Sequence, residues 1–232
     1  MHNRHTPLLF LDIETVAEHA LMEDLSEKKQ ELWTKKSNFF KDSELSPAEL
    51  YGRAGIYAEF GKIVCIAVGY FQKDQLRIRA FSDHNEKKLL EDFNALIIKH
   101  FNLKGTQLCA HNGKEFDFPF IARRMIINGI TLPLPFQLSG KKPWQVNHID
   151  TMELWKFGDY KHFTSLDLLA EILGIESSKS DIDGSRVNEV YYQNNDLERI
   201  TEYCKKDVSV LAQVYLKLTQ NELLEELNIK LL

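Results

Sequence analysis

The chain has 232 residues, 44% of them hydrophobic and 27% charged. That is the composition of an ordinary folded protein, and it excludes collagen-like, low-complexity and disordered classes. The formal net charge of −5 argues against a protein that holds nucleic acid by bulk positive charge. Cys65, Cys109 and Cys204 are an odd number, far apart, and form no CxxC pair. They predict neither a disulfide framework nor a zinc site, so a reducing cytoplasm is the expected location. No run approaches the roughly 20 apolar residues of a membrane span, and no secretory signal precedes Asp12, so no membrane association is expected.

In chain order, Leu8 to Ile13 is an apolar run too short for a helix and predicts a buried central strand. A polar stretch from Glu18 to Lys41 predicts a surface helix, and Pro47 opens a second short helix before Gly55. Lys62 to Phe71 and Gln75 to Phe81 predict a hairpin turning at Lys73-Asp74. Asn85 to Phe101 carries apolar residues at helical spacing, at Leu89, Leu90, Phe93, Leu96, Ile97 and Phe101. Thr106 to His111 predicts a strand, Phe116 to Asn128 a helix, and Val146 to Ile149 a last strand. Ser165 to Leu173 is a capped helix stopped by Gly174, and a long helix runs from about Asp196 to about Leu218. Strands alternating with helices indicate an α/β sheet with helices on its faces.

Four acidic residues stand where this pattern expects burial. Asp12 and Glu14 lie two apart on the first strand, so their side chains share one face, about 7 Å apart. Burying two like charges costs several kcal/mol, on the order expected for uncompensated ions, unless a cation offsets them. Asp207 follows Tyr203 by four residues and Cys204 by three, at the edge of the apolar stripe of the last helix. Asp117 is flanked by Phe116 and Phe118. Each acid has an ordinary explanation alone: a wet strand end, a Tyr–Asp hydrogen bond, a helix N-terminal acid. All four together do not. Oxygen-only donors without histidine or cysteine companions suit hard cations such as Mg²⁺ or Mn²⁺, and four carboxylates suffice for two such ions at a phosphodiester.

The segments DIET (Asp12 to Thr15), NGKEFD (Asn112 to Asp117) and YCKKD (Tyr203 to Asp207) resemble the three exonuclease motifs of the DEDD superfamily, in the subgroup with tyrosine in the third motif. They look most like the proofreading domain of family-B DNA polymerases. The chain also resembles stand-alone bacterial predicted 3′–5′ exonucleases related to that domain; Ala54 to Tyr70 and Ser165 to Ile175 share the likeness. The resemblance implies a ribonuclease H-like fold: a mixed five-stranded sheet flanked by helices, as a single domain over residues 1–232 with a helical insertion at about 17–60. No length remains for a polymerase domain. It also implies two metal ions held by Asp12, Glu14, Asp117 and Asp207, with Tyr203 positioning the attacking water beside Glu14. Thr15, Asn112 and Phe116 are expected to help seat the terminal nucleotide.

The expected function is metal-dependent 3′–5′ hydrolysis of single-stranded DNA ends, releasing nucleoside 5′-monophosphates. An RNA or short-oligonucleotide exonuclease with the same site is one alternative. The other is a catalytically inactive module that binds strand ends or a protein. Asp150 reads as a helix cap rather than a fifth ligand. Arg123-Arg124 and Lys205-Lys206 read as solvated helix faces. His111 reads as structural, and His2 and His5 as uninformative. Two divalent ions would offset four of the negative charges, so the acidity is partly the site itself.

Overall fold

The structure, a computed structural model, describes residues 7–40, 44–159, 163–176 and 182–232; His2, His5 and Lys41 lie outside these. The first strand, β1 (Leu8–Ala17), does not stop at its acids but continues three residues past Glu14. It pairs antiparallel with β2 (Gly61–Gln72), which turns at Lys73-Asp74 into β3 (Gln75–Ser82). Lys73 takes the left-handed conformation that such a tight turn demands, with φ of 56°. On the other side, β1 pairs parallel with β4 (Gln107–Ala110), and β4 pairs parallel with β5 (Ile149–Asp150).

The expected strand at Val146 to Ile149 is therefore only two residues, shifted toward Asp150, and it is not the last. Ile229–Leu231 forms β6, parallel to β3, so among the described residues the mixed sheet has six strands in the order β5-β4-β1-β2-β3-β6. Ile229-Lys230-Leu231 alternates, but three residues are too few to stand out as a period, which is why β6 escapes a reading by pattern.

Alternation along β1 divides the core into two layers. Leu9, Leu11 and Ile13 pack with α2 (Glu86–His100) and α3 (Asp117–Ile127). Phe10 and Val16 face the opposite layer, with α6 (Val187–Tyr192) and α7 (Leu197–Leu218). The α7 helix lies close on the sheet because Gly69 has no side chain: a Cβ there would meet Val208 Cγ1 at 2.8 Å. Ile200, Val208 and Leu211 of α7 are fully buried or nearly so, and each contributes about 1.5–3 kcal/mol of apolar burial. No helix among the described residues is long and apolar enough to cross a membrane.

The polar stretch after β1 holds α1 (Glu27–Ser37), a single helix shorter than expected, and a 3₁₀ segment at Glu49–Ile56 in place of the second helix. Together they enclose a third cluster around Trp33, which is fully buried. Its indole N–H donates to the Pro47 carbonyl at 2.7 Å, and the rings of Tyr51 and Phe60 lie 5.6 and 5.3 Å away. The short helices α4 (Thr151–Lys156) and α5 (Leu166–Ile172) follow β5.

Candidate active site

Asp12 and Glu14 sit mid-strand on the face of β1 turned toward α7, next to a β-bulge. Glu14 pairs with Cys65 but Thr15 pairs with Ile63, so Val64 of β2 has no opposite residue. The bulge belongs to β2 and disrupts the ladder locally; beside it Ile13, Glu14 and Thr15 of β1 all reach one cavity of about 440 Å³, with Asp12, Phe116, Tyr203 and Asp207. Its size is within the roughly 300–1,000 Å³ range of small-ligand sites.

The four acids arrive from three elements, two of them from β1. Asp117 opens α3 and is 4% exposed. Its carboxylate accepts the backbone N–H of Ile13, between Asp12 and Glu14 on β1. Asp207 stands one helical turn after Tyr203 on α7, and the tyrosine hydroxyl donates to its carboxylate. The loop before α3 is shaped for this approach. Asn112 has φ of 60°, and a Cβ on Gly113 would meet the Ala110 Cβ at 2.3 Å.

Electrostatically the four are a cluster of like charge with no counter-ion. Among the described residues none of them forms an ion pair with lysine or arginine. Burial, then the charges of Asp207 and Asp117, push the Asp12 carboxyl well above its ordinary range. Burial and then Asp12 do the same to Glu14. Asp117 and Asp207 are each pushed up to about 7, chiefly by burial. Burial, reinforced by Asp207, raises Tyr203 so that it keeps its proton. A buried anionic cluster of this kind is stabilised by multivalent cations, and the donor set is dominated by oxygen, which fits a hard divalent ion. One carboxylate oxygen each from Asp12 and Glu14 and the Cys204 sulfur lie within 4.8 Å of one another.

Cys204 is a neighbour that reading by sequence missed. Its thiol approaches Asp12 Oδ2 at 3.3 Å, and burial holds the thiol well above its ordinary range. The available signal was its place three residues before Asp207 on the same stripe. Thr15 and Phe116 line the cavity, whereas Asn112 does not. Its backbone N–H donates to Asp150, and its side-chain oxygen is buried without a partner.

Asp150 is occupied elsewhere: it accepts the backbone N–H groups of Asn112, Lys114, Met152 and Glu153, so it caps α4 and ties down the loop before α3. His111 bonds Thr151 and the Thr164 carbonyl through its two nitrogens, a structural role. Lys205 pairs with Glu202 on the helix surface. Arg123 is exposed, but Arg124 corrects the expectation of a solvated pair. It is 6% exposed and bonds Glu86 through Nε at 2.8 Å and the Ala58 carbonyl at 2.7 Å. Its partner lies 38 residues away, so no local pattern announces it.

Comparison with known proteins places these residues in context. Residues 56–227, well over half of the chain, match the family described as predicted 3′–5′ exonuclease related to the exonuclease domain of PolB. No curated protein matches. Among solved structures, the family B DNA polymerase of the hyperthermophilic archaeon Pyrobaculum calidifontis superposes with a TM-score of 0.52 at 15% identity. The match covers 91% of this chain and 24% of the polymerase, so the chain spans about a quarter of that protein's length. The shared part is the fold, a ribonuclease H-like sheet between helical layers. The chain belongs to the family of predicted 3′–5′ exonucleases related to the exonuclease domain of PolB.

Proposed function

We propose that the protein is a metal-dependent exonuclease that removes nucleoside 5′-monophosphates from the 3′ ends of single-stranded DNA. The observation that carries this reading is the convergence of Asp12, Glu14, Asp117 and Asp207, buried or half-buried, without a basic partner, beside an open cavity. Two Mg²⁺ or Mn²⁺ ions, when bound by these four carboxylates, would activate a water and stabilise the leaving oxygen.

The chain's own residues supply orientation. Tyr203 keeps its proton and directs it toward Asp207 in a hydrogen bond, which leaves its oxygen lone pairs to accept a hydrogen bond from the attacking water. Glu14 accepts the other hydrogen of that water and so aims its lone pair at the phosphorus. Attack forms one P–O bond and breaks the bond to the 3′ oxygen, which takes up a proton and remains on the shortened strand. Phe116, half-buried at the cavity wall, offers a ring for the terminal base or sugar. Residues 1–232 act as one domain, and residues 17–60 are an insertion into it. The three free cysteines fit a reducing cytoplasm.

A 5′-labelled single strand incubated with Mg²⁺ or Mn²⁺ tests the proposal. A ladder that EDTA abolishes is expected; no digestion of DNA or RNA at any ion concentration overturns it. Matched DNA and RNA strands decide the substrate, because the 2′-hydroxyl is the discriminating group.

A further inference from the structure

Part of the cavity lining comes from the segment between β1 and β2, which, like Asp12 to Thr15, lies almost wholly before the family match. Its 3₁₀ stretch Glu49–Ile56 contributes Gly52, Arg53, Gly55 and Ile56, while the matched residues begin at 56. Two contacts fix this stretch in place. Tyr51 and Ala54 are buried in the aromatic cluster around Trp33. Gly55 lies so close to β1 that a Cβ would meet the Val16 carbonyl carbon at 3.0 Å. The segment is thereby held at the cavity, against β1, rather than left to drift as a surface loop.

Its chemistry is opposite to that of the acids. Asp12, Glu14 and Asp207 line the cavity, and Arg53 is the cationic residue among the described residues lining it. The Arg53 guanidinium carbon lies 5.4 Å from the centroid of the Phe40 ring, a contact that limits the freedom of a long side chain. Ile56, 53% exposed, adds an apolar surface beside it.

A polyanion entering a cavity lined with carboxylates needs a fixed positive charge to set its path, and arginine matches a phosphate with two parallel N–H donors. Resting on the nuclease reading above, we infer that Arg53 binds a backbone phosphate of the incoming single strand. The segment between β1 and β2 is then a strand guide that the insertion adds to the acidic centre.

Fluorescence anisotropy of a 5′-labelled single strand in Ca²⁺, over a salt series, tests this alongside digestion in Mn²⁺. For Arg53→Ala we expect about tenfold weaker binding and a salt slope reduced by about 0.7, the change for one lost phosphate contact on a single strand. The loss in digestion falls on KM rather than kcat, and Arg53→Lys restores part of it. A single neutral methylphosphonate linkage at the contacted position abolishes the difference between wild type and Arg53→Ala. Unchanged affinity and slope in Arg53→Ala overturn the inference while leaving the nuclease reading intact if wild type still digests. Arg53-dependent binding without digestion by wild type upholds the strand contact and overturns the nuclease reading. Absence of both binding and digestion in wild type overturns both.

Discussion

The molecule buries acids in two places and treats them in opposite ways. Glu86, at the start of α2, is 8% exposed and fully answered. Arg124 reaches it from α3, the Ile63 amide donates at 2.8 Å, and Asn128 adds a third contact at 3.0 Å. In the second place, Asp12, Glu14, Asp117 and Asp207 have one another, a tyrosine hydroxyl and a thiol, with no basic side chain paired to them among the described residues. The first cluster ties α2, α3, β2 and the Ala58 carbonyl together. The second holds carboxyl groups at elevated pKa that a fold would ordinarily avoid or neutralise. Compensated burial marks architecture, and uncompensated burial is what the proposed metal site would require.

The contrast can be broken by substitution. Removing the cation from the compensated cluster, Arg124→Ala, leaves Glu86 unanswered and should cost about 3–5 kcal/mol of stability in urea unfolding. A loss under 1 kcal/mol would erase the distinction. Asp12→Asn should act the other way round. Hydrolysis of a labelled strand falls by about 10²–10³-fold, or about 3–4 kcal/mol of transition-state stabilisation, while the melting temperature in EDTA at pH 8 rises because a repulsion is gone. A variant with normal turnover removes Asp12 from the chemistry.

Tyr203→Phe keeps the ring and loses the hydroxyl bond to Asp207. Its expected cost is about 10–50-fold in kcat, with the Mn²⁺ dependence little changed; an equal shift in metal affinity would make Tyr203 a support of the ligand instead. The smallest effect is read from pH. Asp117 and Asp207 are raised from 3.8 to about 7, so the native protein without metal holds protons that the unfolded chain has released. Their contribution is full below about pH 4 and is lost as pH rises through about 7. Thermal melting in EDTA should therefore shift downward by at least about 3 °C between pH 5.5 and 8, and Mn²⁺ should raise Tm more at pH 8. A melting temperature independent of pH and Mn²⁺ contradicts the cation-seeking cluster.

Much of the sheet and its acids was legible because local rules govern them. The apolar run before Asp12 marks β1, the turn at Lys73-Asp74 marks the hairpin, and the stripe through Ile200, Cys204 and Val208 marks the buried face of α7. The same alternation and helical spacing put Asp12, Glu14 and Asp207 toward one space. What escaped depends on partners distant in sequence. Arg124 looks like any helix arginine until Glu86 folds against it. The wall at Gly52 to Ile56 depends on Trp33, Tyr51 and Phe60 closing a cluster within a segment that reads as polar. Val64 leaves no mark either, since an extra residue in an apolar strand looks like continued strand.

That extra residue has a consequence for how the chain tolerates change. Below the bulge, Leu11 to Glu14 pair with Val68 to Cys65; above it, Thr15 to Ala17 pair with Ile63 to Gly61 in a different register. Val64 and Cys65 both belong to the layer facing α7, while Ile63 and Ile66 face the other way. The bulge works as an expansion joint. Variation in the length of the segment joining β1 to β2 can be taken up at Val64, while the lower register that holds Asp12 and Glu14 stays fixed. A chain built this way can rebuild the strand guide at the cavity without moving its acidic centre.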